Sequence, residues 1–220
     1  EYLYIDFFDL RNSNIYEELN LLDDFISLKD IKVLVLENFN NQCKIPNCEN
    51  IILTSQKNIE YKNFKKIELF ALDFEEYLLF DNKHQNITQS FNNFLKYGNL
   101  PLSVNTEEQK KISKLQDIIK MNSKDDTSYE ILKILIENID EKKSIFQLFN
   151  QLKSKIKISK DRFYEECKEL KDKNSIFFVG KDNQEKSLKK IYSYNYAFLG
   201  VKKKKKKFKQ EFANMIFLEL

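Results

Sequence analysis

Ile31-Lys32-Val33-Leu34-Val35-Leu36-Glu37-Asn38 and Ile51-Ile52-Leu53-Thr54-Ser55-Gln56 decide how the first part of this chain is read. Each holds an unbroken aliphatic run that ends in polar residues. Short runs without polar alternation read as strands buried on both faces, as in a parallel sheet. A polar or acidic residue just past such a strand lies at its carboxyl end, where open α/β sheets bind ligands. The two stretches together predict a nucleotide-type α/β domain.

Outward from this pair, Tyr2-Leu3-Tyr4-Ile5-Asp6-Phe7-Phe8 reads as an earlier strand, followed by Asp9, Arg11 and Asn12. Asn14 is placed to cap a helix to residue 28, with Ile15, Leu19, Leu22, Phe25 and Ile26 on one face. Residues 64–69 read as a fourth strand. Asp73 then caps a helix with Glu75 and Glu76 in its first turn. A helix over residues 87–97 ends at Gly98, a residue suited to a left-handed C-cap. Another helix covers residues 107–121.

The next part carries the clearest local signals. Thr127-Ser128-Tyr129-Glu130 and Ser144-Ile145-Phe146-Gln147 are capping boxes, each opening an amphipathic helix. Ser159 caps a third helix with Phe163, Cys167 and Leu170 on one face. Residues 175–179 and 190–198 read as two strands around a polar turn. Three helices followed by a hairpin predict a winged helix.

Composition narrows the class. The chain has 220 residues, enough for one large or two small domains, and 42% apolar content, enough for real cores. No run approaches the roughly 18 apolar residues of a membrane span. The three cysteines, Cys43, Cys48 and Cys167, show no extracellular pattern, so reduced thiols in the cytoplasm are expected. Residues 1–104 carry 10 basic and 16 acidic side chains, whereas residues 105–200 carry 20 and 16. That change supports a boundary near 105. The expected division is therefore 1–104 for the α/β unit with a short helical lid and 105–200 for the winged helix. Residues 201–220 form a basic linker and the start of a following domain. Glu1 opens straight into a strand and the chain stops inside an apolar helical pattern, so both ends read as cut.

In these features the chain resembles the bacterial and archaeal AAA-type ATPases in which a P-loop domain precedes a winged helix and a nuclease-like domain. Residues 33–38 resemble a Walker B strand. Ile51-Ile52-Leu53-Thr54-Ser55 resembles the strand that family ends in Thr-Gly-Ser. Residues 67–77 and Tyr97-Gly98-Asn99-Leu100-Pro101 resemble its later helix start and its glycine-glycine-phenylalanine-proline turn. The resemblance spans residues 2–200. It implies ATP and magnesium as cofactors of the parent protein, with Glu37 and Asn38 on the metal side and Ser55 as a γ-phosphate sensor. It also implies double-stranded DNA, a protein partner or the following nuclease-like domain as contacts of the winged helix, while the absence of a long apolar run leads us to expect no membrane partner. The sequence departs from the family at several points. No Walker A loop stands in the chain; in the family it would precede the Tyr2 strand. The Asp–Glu pair of Walker B is Glu37-Asn38, and Asn cannot act as a base. Residues 58–66 hold no Arg, and Ala71 replaces the family's Pro. The alternative reading is a non-catalytic winged-helix module with a degenerate nucleotide fold.

Candidate DNA contacts are Lys160, Arg162, Tyr164, Lys168 and Lys171 on the third helix, with Lys181 in the turn. Residues 159–173 nevertheless hold five basic and five acidic side chains, a neutral helix where a basic stripe is the usual sign. Packing against protein is the competing role. His84 is a lone surface histidine, and Cys43 with Cys48 gives only half the ligands of a zinc site. Tyr192, Tyr194, Tyr196 and Phe198 alternate, so they are expected on one strand face, covering the helices. The lysine run at 202–207 reads as a solvated linker.

Overall fold

The computed structural model describes residues 1–12, 14–40, 44–56, 59–81, 86–180, 188–202 and 208–220. It is a mixed α/β structure with a three-stranded parallel sheet, a small antiparallel sheet and ten α-helices among these residues. The chain divides into two compact units, Glu1–Ile67 and Glu68–Leu220.

The first unit is built on β1 (Tyr2–Asp6), β2 (Val33–Glu37) and β3 (Asn50–Leu53), in that order across the sheet. All pairings are parallel, with Asp6 opposite Glu37 and Leu36 opposite Leu53. Because side chains alternate, one face carries Ile5, Leu34 and Leu36, all buried, against Ile26 of α1 (Ile15–Leu28). Each such aliphatic burial stabilises by roughly 1.5–3 kcal/mol. The opposite face presents Tyr2, Tyr4 and Ile52, which are exposed. Only one face is thus covered within this unit, where the aliphatic runs predict two.

The second unit starts with α2 (Phe74–Phe80), α3 (Ile87–Tyr97), α4 (Pro101–Asn105) and α5 (Glu108–Met121). Phe74, Tyr77, Phe94 and Tyr196 interlock with ring centroids 5.0–6.4 Å apart, so residues from both ends of the unit share one core. Next come α6 (Asp126–Glu137), β4 (Lys142–Lys143), α7 (Ile145–Lys153) and α8 (Lys160–Asp172). Strands β5 (Ile176–Val179) and β6 (Lys189–Ser193) follow, then α9 (Ala197–Lys202) and α10 (Phe208–Glu219). The small sheet has the order β4-β6-β5 and is antiparallel. Ile131, Leu135, Leu148, Leu152, Phe163 and Ile176 are its helix-facing core.

The local caps explain most helix starts. Ser144 accepts from the Gln147 N–H while the Gln147 side chain accepts from the Ser144 N–H. Asp73 and Glu76 do the same for α2. Ser144→Ala is expected to cost about 1 kcal/mol, read as a lower urea midpoint at unchanged slope.

Several expectations are corrected. Residues 64–69 form no strand, and Ile67 and Leu69 are exposed. Helix α6 begins two residues earlier than its Thr127 box, because Asp125 accepts from the Ser128 N–H at 2.7 Å. Asn14 makes no side-chain capping bond. The last strand stops at Ser193. There Asn214 on α10 accepts from the Ser193 N–H and donates to its carbonyl, both at 2.7 Å, in place of a strand partner. Asn195 then accepts from the Ala197 N–H at 2.9 Å and opens α9. Tyr194, Tyr196 and Phe198 therefore lie beyond the strand, and Tyr196 and Phe198 are buried. The position of the composition change near 105 falls within the second unit, and Asn214 and Met215 of α10 are buried.

Candidate functional site

The carboxyl ends of β1, β2 and β3 bring together residues far apart in sequence. Asp6 and Glu37 are register partners on adjacent strands, so their side chains share a face. Two residues back on that face, the Tyr4 hydroxyl donates to the Glu37 carboxylate, a diagonal cross-strand contact. That bond, with some burial and the nearby carboxylates, pushes the Tyr4 hydroxyl up to about 12, so it stays a donor at neutral pH.

Asn38 sits just past β2 with φ of 58°, a left-handed conformation that Asn tolerates better than most residues. This turn aims its amide sideways: Asn38 Nδ2 donates to Asp6 Oδ1 at 2.8 Å. Its backbone N–H donates to Thr54 Oγ1 at 3.1 Å. Asp6 Oδ1 also accepts from the Phe8 N–H at 2.9 Å, and the Asp6 carbonyl accepts from Asn12 Nδ2. The three strand ends are thus laced into one polar edge. Beyond it Asp9 holds Arg11 through paired bonds of 2.5–3.0 Å. The Arg11 guanidinium and backbone N–H bring the Asp9 carboxyl down to about 2. Ser55 is half-buried beside Thr54.

Of the predicted nucleotide-side residues, Glu37 and Asn38 lie at this edge, and Ser55 follows the next strand. Asp6 was not singled out from sequence, because it reads as one more position inside a strand. Its signal is the register: an acid that ends one strand beside an acid that ends the next. Asp6 and Glu37 offer carboxylate oxygens that suit a hydrated magnesium ion. The edge lacks the rest of an ATP site among the described residues. Its one nearby cation, Arg11, is bound to Asp9, and no glycine-rich turn presents N–H groups to phosphate. The residues therefore fit the metal side of such a site and not the phosphate side. No group of three or more His, Cys, Asp or Glu side chains is placed to hold a metal among the described residues.

The predicted DNA-contact residues have different fates. Arg162 is engaged inside the unit: it donates to Asp125 Oδ2 at 2.9 Å and Ser128 Oγ at 3.2 Å, and lies 3.7 Å from Glu166. Ser128 Oγ in turn donates to the buried Glu166 carboxylate at 3.0 Å. Lys160 is exposed, with its ammonium 5.4 Å from the Tyr164 ring and 5.7 Å from the Phe146 ring. Lys168 and Lys171 are exposed and make no ion pair among the described residues. Lys181, His84 and Cys43 lie outside the described residues. Cys48 Sγ lies 3.5 Å from the Ile31 carbonyl, and burial pushes the Cys167 thiol up. No helix among the described residues is long and apolar enough to cross a membrane.

Comparison with protein-family models, curated proteins and solved structures finds no match to this chain.

Proposed function

We propose that this chain is part of an AAA-type ATP-binding protein. In this reading α6, β4, α7, α8, β5 and β6 form a winged helix that links the nucleotide unit to DNA or a protein partner. The observation that carries it is the second sheet. Helix, short strand, two helices and a hairpin, with strands ordered β4-β6-β5, is an arrangement that supports the winged-helix reading. The parallel ladder with Asp6 and Glu37 at its carboxyl edge supports the nucleotide half of the reading.

The chain by itself does not hydrolyse ATP. Asn38 stands where a water-activating carboxylate is needed, and its amide donates to Asp6 rather than accepting a proton. Incubation of the purified chain with ATP and magnesium is expected to release no phosphate above background. Steady release that is lost on Glu37→Gln overturns this statement.

The bond between Asn38 and Asp6 favours a second reading, a winged-helix module whose sheet no longer takes nucleotide. A fluorescent ATP analogue separates the two. Saturable, magnesium-dependent binding that Glu37→Gln abolishes supports the nucleotide reading, and its absence supports the module alone.

A further inference from the structure

Residues 142–160 carry six lysines and no acidic side chain. They form β4, α7 and the turn into α8. The structure gathers part of this charge onto one aromatic ridge. The Lys153 ammonium lies 5.6 Å from the Phe149 ring, Phe149 lies 6.2 Å from Phe146, and Lys160 bridges Phe146 and Tyr164. Phe146 is 50% exposed, so its ring is open to solvent beside the Lys160 ammonium.

Helix α8 continues the ridge in an asymmetric way. At roughly 100° per residue, Lys160, Tyr164, Lys168 and Lys171 share one flank. Asp161, Glu165 and Asp172 run along the crest opposite the buried Phe163, Glu166, Cys167 and Leu170. The crest is the part of a recognition helix that would enter a major groove. An acidic crest repels the phosphates on both walls of that groove. Lys168 stands one turn from both Glu165 and Asp172, whereas Lys160 and Tyr164 face α7, where the ammonium meets the Phe146 and Tyr164 rings.

We propose that the α7–α8 flank, with Phe146, Lys153, Lys160, Tyr164 and Lys168, binds single-stranded nucleic acid. Lysines follow the phosphates and Phe146 receives a base. The inference deepens the reading of this unit as a binding module and rests on that reading, but not on the nucleotide half.

The test uses the full chain with residues 203–207 changed to Ser, which removes five of the six lysines of the run. A labelled oligothymidine of about 12 nucleotides is titrated at several salt concentrations. Binding is expected, with a log–log salt slope of about −2 for three lysine–phosphate contacts. Phe146→Ala weakens it about tenfold, and Phe146→Leu, which keeps the apolar packing but not the flat ring, does the same. The double change Lys160→Glu, Lys168→Glu abolishes it, while thermal unfolding stays at the parent temperature. Three results overturn the proposal. The first is tighter binding of a duplex of equal length, indifferent to Phe146→Ala, which keeps the module and moves its contact elsewhere. The second is equal displacement by polyglutamate, which assigns the face to an acidic protein. The third is no binding of either nucleic acid, which removes nucleic acid from the module altogether.

Discussion

Gly98→Ala is expected to destabilise the second unit by about 3–5 kcal/mol. Two independent costs combine. Gly98 ends α3 at φ 81° and ψ −175°, a region that only glycine occupies without strain. A Cβ there would stand 2.2 Å from Asn195 Oδ1 and 2.7 Å from its Nδ2. Asn195 cannot yield, because it is fully buried and its Oδ1 caps α9 through the Ala197 N–H. The Gly98 N–H also closes α3 on the Phe94 carbonyl, whose oxygen accepts from the Tyr196 hydroxyl at 2.9 Å. The clash therefore sits where the end of α3 meets the start of α9. Urea unfolding reads the loss as a lower midpoint with an unchanged slope. Adding Asn195→Ala removes the collision and leaves the backbone strain, so the double variant remains less stable than Asn195→Ala alone. A Gly98→Ala chain within about 0.5 kcal/mol of the parent would show that this turn is free to rearrange.

Sequence signals that close within a few residues were legible. The reciprocal pairs Asp73 with Glu76 and Ser144 with Gln147 fix two helix starts by contacts three residues apart. The aliphatic runs at β2 and β3 marked the strands, although only the face of Leu34 and Leu36 is buried within the unit among the described residues. What failed depends on distant partners. Lys142-Lys143 has no strand-like composition, and it becomes β4 only because Lys189 and Lys190 lie beside it. The alternation from Tyr192 to Phe198 looks like one strand, yet Asn214, 21 residues further on, supplies the hydrogen bonds that end it. At the sheet edge, Glu37 was legible from the end of its run. The role of Asp6 appears only when the register sets it against Glu37 and the left-handed Asn38 reaches across to it.

Arg162 gives the second large effect. As one of two arginines, on the exposed-looking start of α8, it invites a phosphate contact. Its donors instead reach Asp125, the cap of α6, and Ser128, joining the starts of two helices. Behind them the Glu166 side chain is 5% exposed. Arg162→Met removes the countercharge and leaves that carboxylate accepting from Ser128 Oγ. Breaking a fully buried pair costs about 3–5 kcal/mol. The Arg162 side chain is 38% exposed, so solvent reduces the loss to about 2–3 kcal/mol. Glu166→Gln in the same chain keeps an acceptor for Ser128 and removes the unpaired charge. It is expected to recover most of the loss, a coupling of about 1–2 kcal/mol in a double-mutant cycle followed by urea unfolding. Additive losses would mean that the two side chains act separately. The same double variant bears on binding, because it folds without the guanidinium. If the α7–α8 flank is the nucleic-acid face, Arg162→Met with Glu166→Gln leaves oligothymidine affinity unchanged, whereas Lys160→Glu with Lys168→Glu removes it. A loss of affinity in the first pair would return Arg162 to the interface.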